Sequence, residues 1–370
     1  MRRDSAFLIL CGFSLASLFA LHMALTPGAG VASHLLRQRE VVAPAVRDHV
    51  ASLLERARKP RKKRCGFGAA ISGMDPFDLP LHCGNMHTLK LGEKLGEGFW
   101  RGVYNATWQG KAVAVKIVHE VHHYKANIVE RHVEEAAVLY SLRHASHVAR
   151  LMGWCNSTLV VEYFPHNLEE MLFDTSYGPW TTKQKLTLCL EAAKGVAEIH
   201  AVHAVHADIQ PRQFLVDPAT RKLYLNDLNR MRFGGPDANG STCSFTIGLA
   251  KGVWRAPEEY RFESLGKPLD IFSLAMVFWT IEARHAPHNN ITRNQVYEQV
   301  PEGLRPDEGI VQRYPPAMQD LIHEMWADAP MARPSAAAVV ARLEAIVAET
   351  PDEFEDGNGV LAQRQRCRRQ

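Results

Sequence analysis

The chain opens on an apolar run and then changes period several times. Residues 6 to 25, AFLILCGFSLASLFALHMAL, hold no Asp, Glu, Lys or Arg. A helix of that length just spans a bilayer. Arg2 and Arg3 precede it, and Pro27 and Gly28 end it. The pattern predicts a transmembrane signal-anchor over 1–25, with a cleaved signal ending in AGVAS (29–33) or a plain apolar helix as alternatives. Residues 45 to 58 repeat at helical spacing through Val46, Val50, Leu53 and Leu54. A Gly/Pro-rich stretch over 65–86 reads as a linker, so 26–86 is expected to be a stem.

From residue 87 the pattern tightens. TLKLGEKLGEGFWRGVYNATWQGKAVAVKIV alternates like three antiparallel strands with a Gln109-Gly110 hairpin. Residues 126 to 143 have helical spacing, and RLMGWCNSTLVVEYF gives two more strands around a turn at Asn156. Beyond 166 the period is 3.6, over 182–200, 268–283, 315–326 and 335–348. The expected fold is α+β. A small antiparallel β-rich lobe (87–165) precedes a larger helical lobe (166–348), and a polar tail covers 349–370.

Composition narrows the function. The 370 residues are 46% hydrophobic and 22% charged, which suits a globular body. With 43 Lys+Arg against 40 Asp+Glu the net charge is +3, too weak a balance for a nucleic-acid partner. Positive charge concentrates in RARKPRKKR (56–64), which fits a solvated linker, a patch facing anionic lipid, or a basic cleavage site. Asn105, Asn156, Asn239 and Asn290 each head an N-x-S/T triplet, against about one or two by chance. Together with the apolar run, these acceptors place a single-pass protein's body in the ER or Golgi lumen or outside the cell. A cytosol-facing body is the alternative. No C-x-x-C occurs. Cys65 and Cys83 are the candidates for a small disulfide loop, with Cys155 and Cys189 read as buried or free thiols.

Candidate chemistry starts at Gly96 and Gly98, between two strands, where bare backbone can approach an anion. Further on, VAVK sets Ala114 and Lys116 on one strand face. Glu135, on the next helix, is placed to hold that amine. AVHAVHADIQPRQFLVD (201–217) then brings His203 and His206 close to Asp208, with His200 just before it. Three histidines without a fourth ligand argue poorly for zinc.

In order, the chain carries GEGFWRGV (96–103), VAVK (113–116), Glu135 ahead of LRH (142–144), VHAD (205–208), NDLN (226–229), RAPE (255–258), DIFS (270–273) and PMARPS (330–335). On these motifs the chain resembles the eukaryotic protein kinase superfamily over about 88 to 348, nearest its tyrosine-kinase-like members. The layout of an anchor before the body is similar to secretory-pathway kinases such as protein O-mannose kinase.

That resemblance implies ATP with Mg²⁺ or Mn²⁺ as cofactor and a protein or glycan hydroxyl as acceptor. Lys116 would contact the α/β-phosphates, positioned by Glu135, and Asp208 would orient the acceptor hydroxyl. Asp227 would hold the metal, with Gln213 as second ligand. Val103 and Ala114 would sandwich adenine, and Glu162 and Phe164 would offer backbone contacts at the hinge. Asp270 would brace the catalytic loop, and Glu258 with Arg333 would staple the activation segment.

Several positions depart from the family pattern. Arg101 stands where a third glycine is expected, which would stiffen the loop. Ala207 removes the Arg that reads a phosphorylated activation loop. Leu228-Asn229 replaces Phe-Gly, with Asn229 tolerant of a left-handed backbone. Gln210 removes a cation beside the transferred phosphoryl, and Arg212 is expected to compensate. Gln213 replaces an Asn and reaches one methylene further. The expectation is a protein kinase, with a catalytically dead nucleotide-binding scaffold as the alternative.

Overall fold

The computed structural model describes residues 65–123, 125–248 and 252–352. The apolar run at 6–25, the helix at 45–58, the basic run at 56–64 and the tail beyond 352 lie outside them. The single-pass membrane placement does not stand. Among the described residues no helix is long and apolar enough to cross a membrane.

The stretch 65–86 is structured rather than a bare linker. It forms helix α1 (Gly68–Gly73) and strand β1 (Leu81–His82). β1 runs parallel to β5 (Leu151–Cys155), Leu81 opposite Gly153. A Cβ on Gly153 would sit 2.5 Å from the Leu81 carbonyl, so only glycine lets the strands approach. Two disulfides fix the segment: Cys65 with Cys243 and Cys83 with Cys155. The expected Cys65–Cys83 loop is thereby corrected, as is the reading of Cys155 as a thiol. Cys189 remains a buried thiol.

The small lobe is a six-stranded sheet ordered β1-β5-β6-β4-β3-β2. Its other strands are β2 (Lys90–Glu97), β3 (Arg101–Trp108), β4 (Lys111–Val118) and β6 (Thr158–Glu162). Gln109 and Gly110 both have positive φ (49° and 77°), as a two-residue turn between right-twisted strands requires. Asn156 does the same between β5 and β6 (φ 50°). Helix α2 (Ala126–Ser141) lies across β5 and α1, burying Val133, Ala136, Ala137 and Tyr140.

The large lobe begins with β7 (His166–Asn167) and α3 (Leu168–Phe173), started by a capping box between Asn167 and Glu170. Helix α4 (Thr182–Ala201) has the same device in Thr181 and Gln184. Strand β8 (Ala204–Val205) pairs with β11 (Arg232–Phe233). Strand β9 (Phe214–Val216) sits between β10 (Leu223–Leu225) and β7. After α5 (Pro257–Tyr260) comes α6 (Pro268–Ala283), buried on all sides from Leu269 to Glu282. Such an all-round apolar helix is the core of the lobe. Helices α7 (Arg293–Gln299), α8 (Glu308–Val311), α9 (Pro316–Met325) and α10 (Ala336–Glu349) surround it, with α10 against α4. Of the four acceptor asparagines, Asn239 and Asn290 are exposed, while Asn105 and Asn156 are half-buried.

Candidate active site

A cleft of about 600 Å³ separates the lobes beneath the β2–β3 turn. The Gly98 N–H donates to the Arg101 carbonyl (2.8 Å) to close that turn. The rings of His119 and His122 lie 3.3 and 3.2 Å from the Gly98 and Phe99 carbonyls, so the loop is held down from behind. Gly96, Gly98, Val103 and Ala114 line the cleft from above, Val161 from the back and Leu215 of β9 from below. Glu162 and Phe164 line its edge. The Glu162 carboxylate is taken by Arg150 (2.6 Å), and the Phe164 ring stacks on Tyr224 with centroids 4.5 Å apart.

Strand register sets the charged end. Val103 of β3 lies opposite Lys116 of β4, and Arg101 lies opposite Val118, two residues along. Directly opposed residues share a face, so Arg101, Val103 and Lys116 all project into the cleft. Glu135, fully buried on α2, closes the group from behind. It accepts from both terminal nitrogens of Arg101, the longer bond being 3.1 Å, while Lys116 Nζ is 3.5 Å away. Lys116 also donates, at shorter range, to Asn226 Oδ1 (3.0 Å). Asp227 Oδ1 accepts from Arg101 (2.6 Å) and lies 3.8 Å from Lys116.

Two cations and two anions thus neutralise each other, Arg101, Lys116 and Glu135 buried and Asp227 partly open to the cleft. Burial pushes the Lys116 amine below its usual range; Glu135 opposes that and Arg101 adds to it. Burial alone would raise the Glu135 carboxyl, but Arg101 and then Lys116 outweigh it and hold it low. Asp227 is likewise lowered, with Lys116 and Arg101 overcoming its burial. The left-handed residue of this segment is Asp227 itself (φ 63°) rather than Asn229. The Asn229 amide donates to Asp227 Oδ2 (3.1 Å), and Leu228 is buried.

The catalytic-loop stretch is organised around Asp270. Its carboxylate accepts from the His206 and Ala207 backbone N–H groups (2.7 and 2.9 Å) and meets the His200 ring at 2.9 Å. The His206 ring meets the Asn226 carbonyl (2.9 Å) and His203 sits in a turn with φ 62°. These histidines therefore brace backbone, and no metal-binding cluster of His, Cys, Asp or Glu occurs among the described residues. Ala207 is also left-handed (φ 59°), a conformation held by the surroundings. Its carbonyl accepts from Arg230 (3.2 Å) and Arg255 (3.1 Å).

Asp208 accepts from the Gln213 amide (2.7 Å) on one oxygen and from Arg255 on the other. Gln210 is buried with its amide nitrogen unpartnered among the described residues. Arg212 is exposed, and the carboxylate that feels its charge is Glu169. Further out, Arg333 holds Glu258 by two bonds of 2.6 and 2.8 Å.

The cleft therefore gathers Gly96, Gly98, Val103, Ala114, Lys116, Glu162, Phe164, Gln213 and Asp227, with Glu135 bonded behind and Asp208 bonded through Gln213. Arg212 stays apart from them. For a divalent metal, Asp227 and Gln213 are both oxygen donors lining the cleft. Gln213 spends its nitrogen on Asp208, which leaves its carbonyl oxygen for a hard cation. The donor set fits magnesium or manganese.

Sequence reasoning missed Arg101, Arg255, Asn226 and Leu215 as parts of the site. Arg101 carried a signal, since period-two alternation puts it on the face of Val103. Arg255 carried none, because only the folded activation segment brings it to Asp208.

Comparison with known proteins agrees with this geometry. The family model for protein tyrosine and serine/threonine kinases matches residues 89–343. The probable serine/threonine-protein kinase drkC of Dictyostelium discoideum is 29% identical over 68% of this chain and 34% of its own length. The serine/threonine-protein kinase STY46 of Arabidopsis thaliana is 22% identical over 84% of this chain and 54% of its own. The serine/threonine-protein kinase mos of Xenopus laevis is 26% identical over 68% and 74%. The matched region thus spans about a third of drkC and half of STY46.

Proposed function

This chain belongs to the protein tyrosine and serine/threonine kinase family, and from that premise we propose that it transfers the γ-phosphoryl of ATP to a hydroxyl acceptor. The observation that carries the reading is a line of hydrogen bonds from Lys116 to the Asn226 side chain (3.0 Å), from the Asn226 backbone N–H to the Gln213 backbone carbonyl (2.9 Å), and from the Gln213 amide to Asp208 (2.7 Å). Lys116 faces the phosphates with Glu135 behind it, Val103, Ala114 and Leu215 enclose the base, and Asp208 accepts the hydroxyl proton. Bound magnesium or manganese, held by Asp227 and Gln213, supplies the charge that neutralises the phosphates. The serine/threonine kinases among its relatives favour Ser and Thr of a protein as acceptor, ahead of Tyr or a glycan hydroxyl. With Ala at 207, activity runs without a phosphorylated activation segment.

A second reading, a nucleotide-binding scaffold without turnover, is favoured by one observation: both key aspartates are already occupied. Arg255 and Gln213 hold Asp208, and Arg101 and Asn229 hold Asp227. ATP turnover with Mg²⁺ or Mn²⁺ decides between them. A kinase loses about 10²-fold or more on Asp208→Ala. Equal background rates for the two proteins, with thermal stabilisation by MgATP retained, would establish the scaffold.

A further inference from the structure

Arg101 enters the cleft as an extra cation. The position is the first of β3, directly after the glycine turn. A side chain there has two places to go: out over solvent, or under the roof towards the phosphate end of the cleft. Arg101 goes under, 97% buried, with its guanidinium passing 4.9 Å from the Trp100 ring. It takes the two-pronged contact with Glu135 and leaves Lys116 the longer single one. It also holds Asp227 Oδ1.

Rearrangement on ligand entry follows from this geometry. Were Asp227 to hold the metal of MgATP, the Arg101 nitrogen now bonded to its Oδ1 would be released. A guanidinium has five donors in a planar array, so Arg101 can keep Glu135 and still bond a phosphate oxygen. Lys116 has its shortest bond to Asn226 (3.0 Å) and lies 3.5 Å from Glu135, so it is the less firmly anchored of the two cations.

Resting on the phosphotransferase reading, we propose that Arg101 is the principal phosphate-binding cation of this site, anchored by Glu135, with Lys116 in a secondary place. The glycine replaced at this position is then exchanged for a ligand-binding side chain rather than simply lost.

The test compares binding of MgATP and of adenosine to the full chain by calorimetry. Adenosine fills the base pocket but has no phosphates, so it reports whether the pocket is intact. Arg101→Met is expected to weaken MgATP about tenfold or more with adenosine unchanged, whereas Lys116→Met weakens it about threefold. Arg101→Lys should restore part of the loss. The proposal is overturned if Lys116→Met abolishes MgATP binding while Arg101→Met leaves it intact. It is equally overturned if Arg101→Met binds MgATP more tightly, which would make Arg101 a plug. Should Arg101→Met lose adenosine as well, Arg101→Lys decides. Retained MgATP affinity supports the proposal, and loss of MgATP with adenosine kept overturns it. Wild-type protein that binds MgATP through Arg101 without turnover refutes the phosphotransferase reading alone. Protein that binds neither ligand refutes both.

Discussion

Arg255, in the segment entering α5, donates to the carboxylate of Asp208, whereas Arg212, four positions from Asp208 in sequence, is exposed. The cation at this aspartate therefore comes from the activation segment, across 47 residues of chain. In the proposed reaction Arg255 would position the Asp208 carboxylate and stabilise its charge, which the buried, unpartnered Gln210 amide does not do. Arg255→Ala should lower kcat about 10²–10³-fold with little change in the KM for ATP. Arg255→Lys should recover part of that loss. Arg212→Ala, at an exposed ion, should stay within about threefold of wild type. Steady-state kinetics on variants with matched melting temperatures checks all three.

The pair Glu258–Arg333 is buried on both sides, at 2% and 7% exposure. Arg333 also donates to the carbonyls of Ala327, Pro268 and Asp328, so one side chain ties its own stretch (327–333) to Glu258 and to the start of α6. Removing one member of such a pair strands a charge without solvent. Arg333→Ala is expected to cost about 3–5 kcal/mol of unfolding free energy. A Glu258→Leu/Arg333→Met double variant should lose distinctly less than the single one. Denaturant unfolding of the three proteins measures the difference.

Much of this was legible because local pattern and long-range contact agree. The Gln109-Gly110 turn, the strands around Asn156 and the helices at 182–200 and 268–283 are each written in a period of two or 3.6. Lys116 falls where it was expected because strand register follows from that period. Residues 65–86 were not legible, since two disulfides, and a strand two residues long, order a stretch whose composition reads as linker. The charge network was legible only in part. Arg101 was visible as a departure from a glycine, yet which of two cations would meet Glu135 depends on side-chain packing that no spacing encodes. Arg255 was invisible for a similar reason. Its contact with Asp208 exists only once the activation segment has folded back.

The pairing of Cys65 with Cys243 ties the segment before α1 to the activation segment, 178 residues away, and Cys83–Cys155 ties β1 to β5. Non-reducing peptide mapping should recover these two linkages and no Cys65–Cys83 peptide. Closing loops of this length removes chain entropy from the unfolded state. Cys65→Ser and Cys83→Ser are each expected to cost about 2–5 kcal/mol, with a lower melting temperature. Cys189 should resist alkylation until the protein unfolds, because burial pushes its thiol well up and denies it to reagents. Rapid labelling of Cys189 in the native protein would contradict this packing.

His147 gives the fold a pH dependence of defined sign. It lies between α2 and β5, with ring nitrogens 3.3 Å from both Glu191 and Glu198 of α4, and its N–H donates to Glu198 (2.8 Å). Burial alone would push the imidazole down, but the two carboxylates outweigh it and raise its pKa to about 8. The unfolded value is near 6.5, so the folded state binds the proton more tightly. The resulting stabilisation is complete below pH 6.5 and is lost as pH rises through 8. The full shift would correspond to about 2 kcal/mol, reduced to about 1 kcal/mol by the water that still reaches this half-buried group. Glu259 also changes charge in this range, since burial, only partly offset by Arg255 and Arg230, lifts its carboxyl to about 7. Measuring wild type against His147→Gln cancels that contribution. The difference in unfolding free energy should therefore favour wild type at pH 6 and shrink towards pH 9. A difference that stays constant over that range would mean His147 contributes packing and no charge.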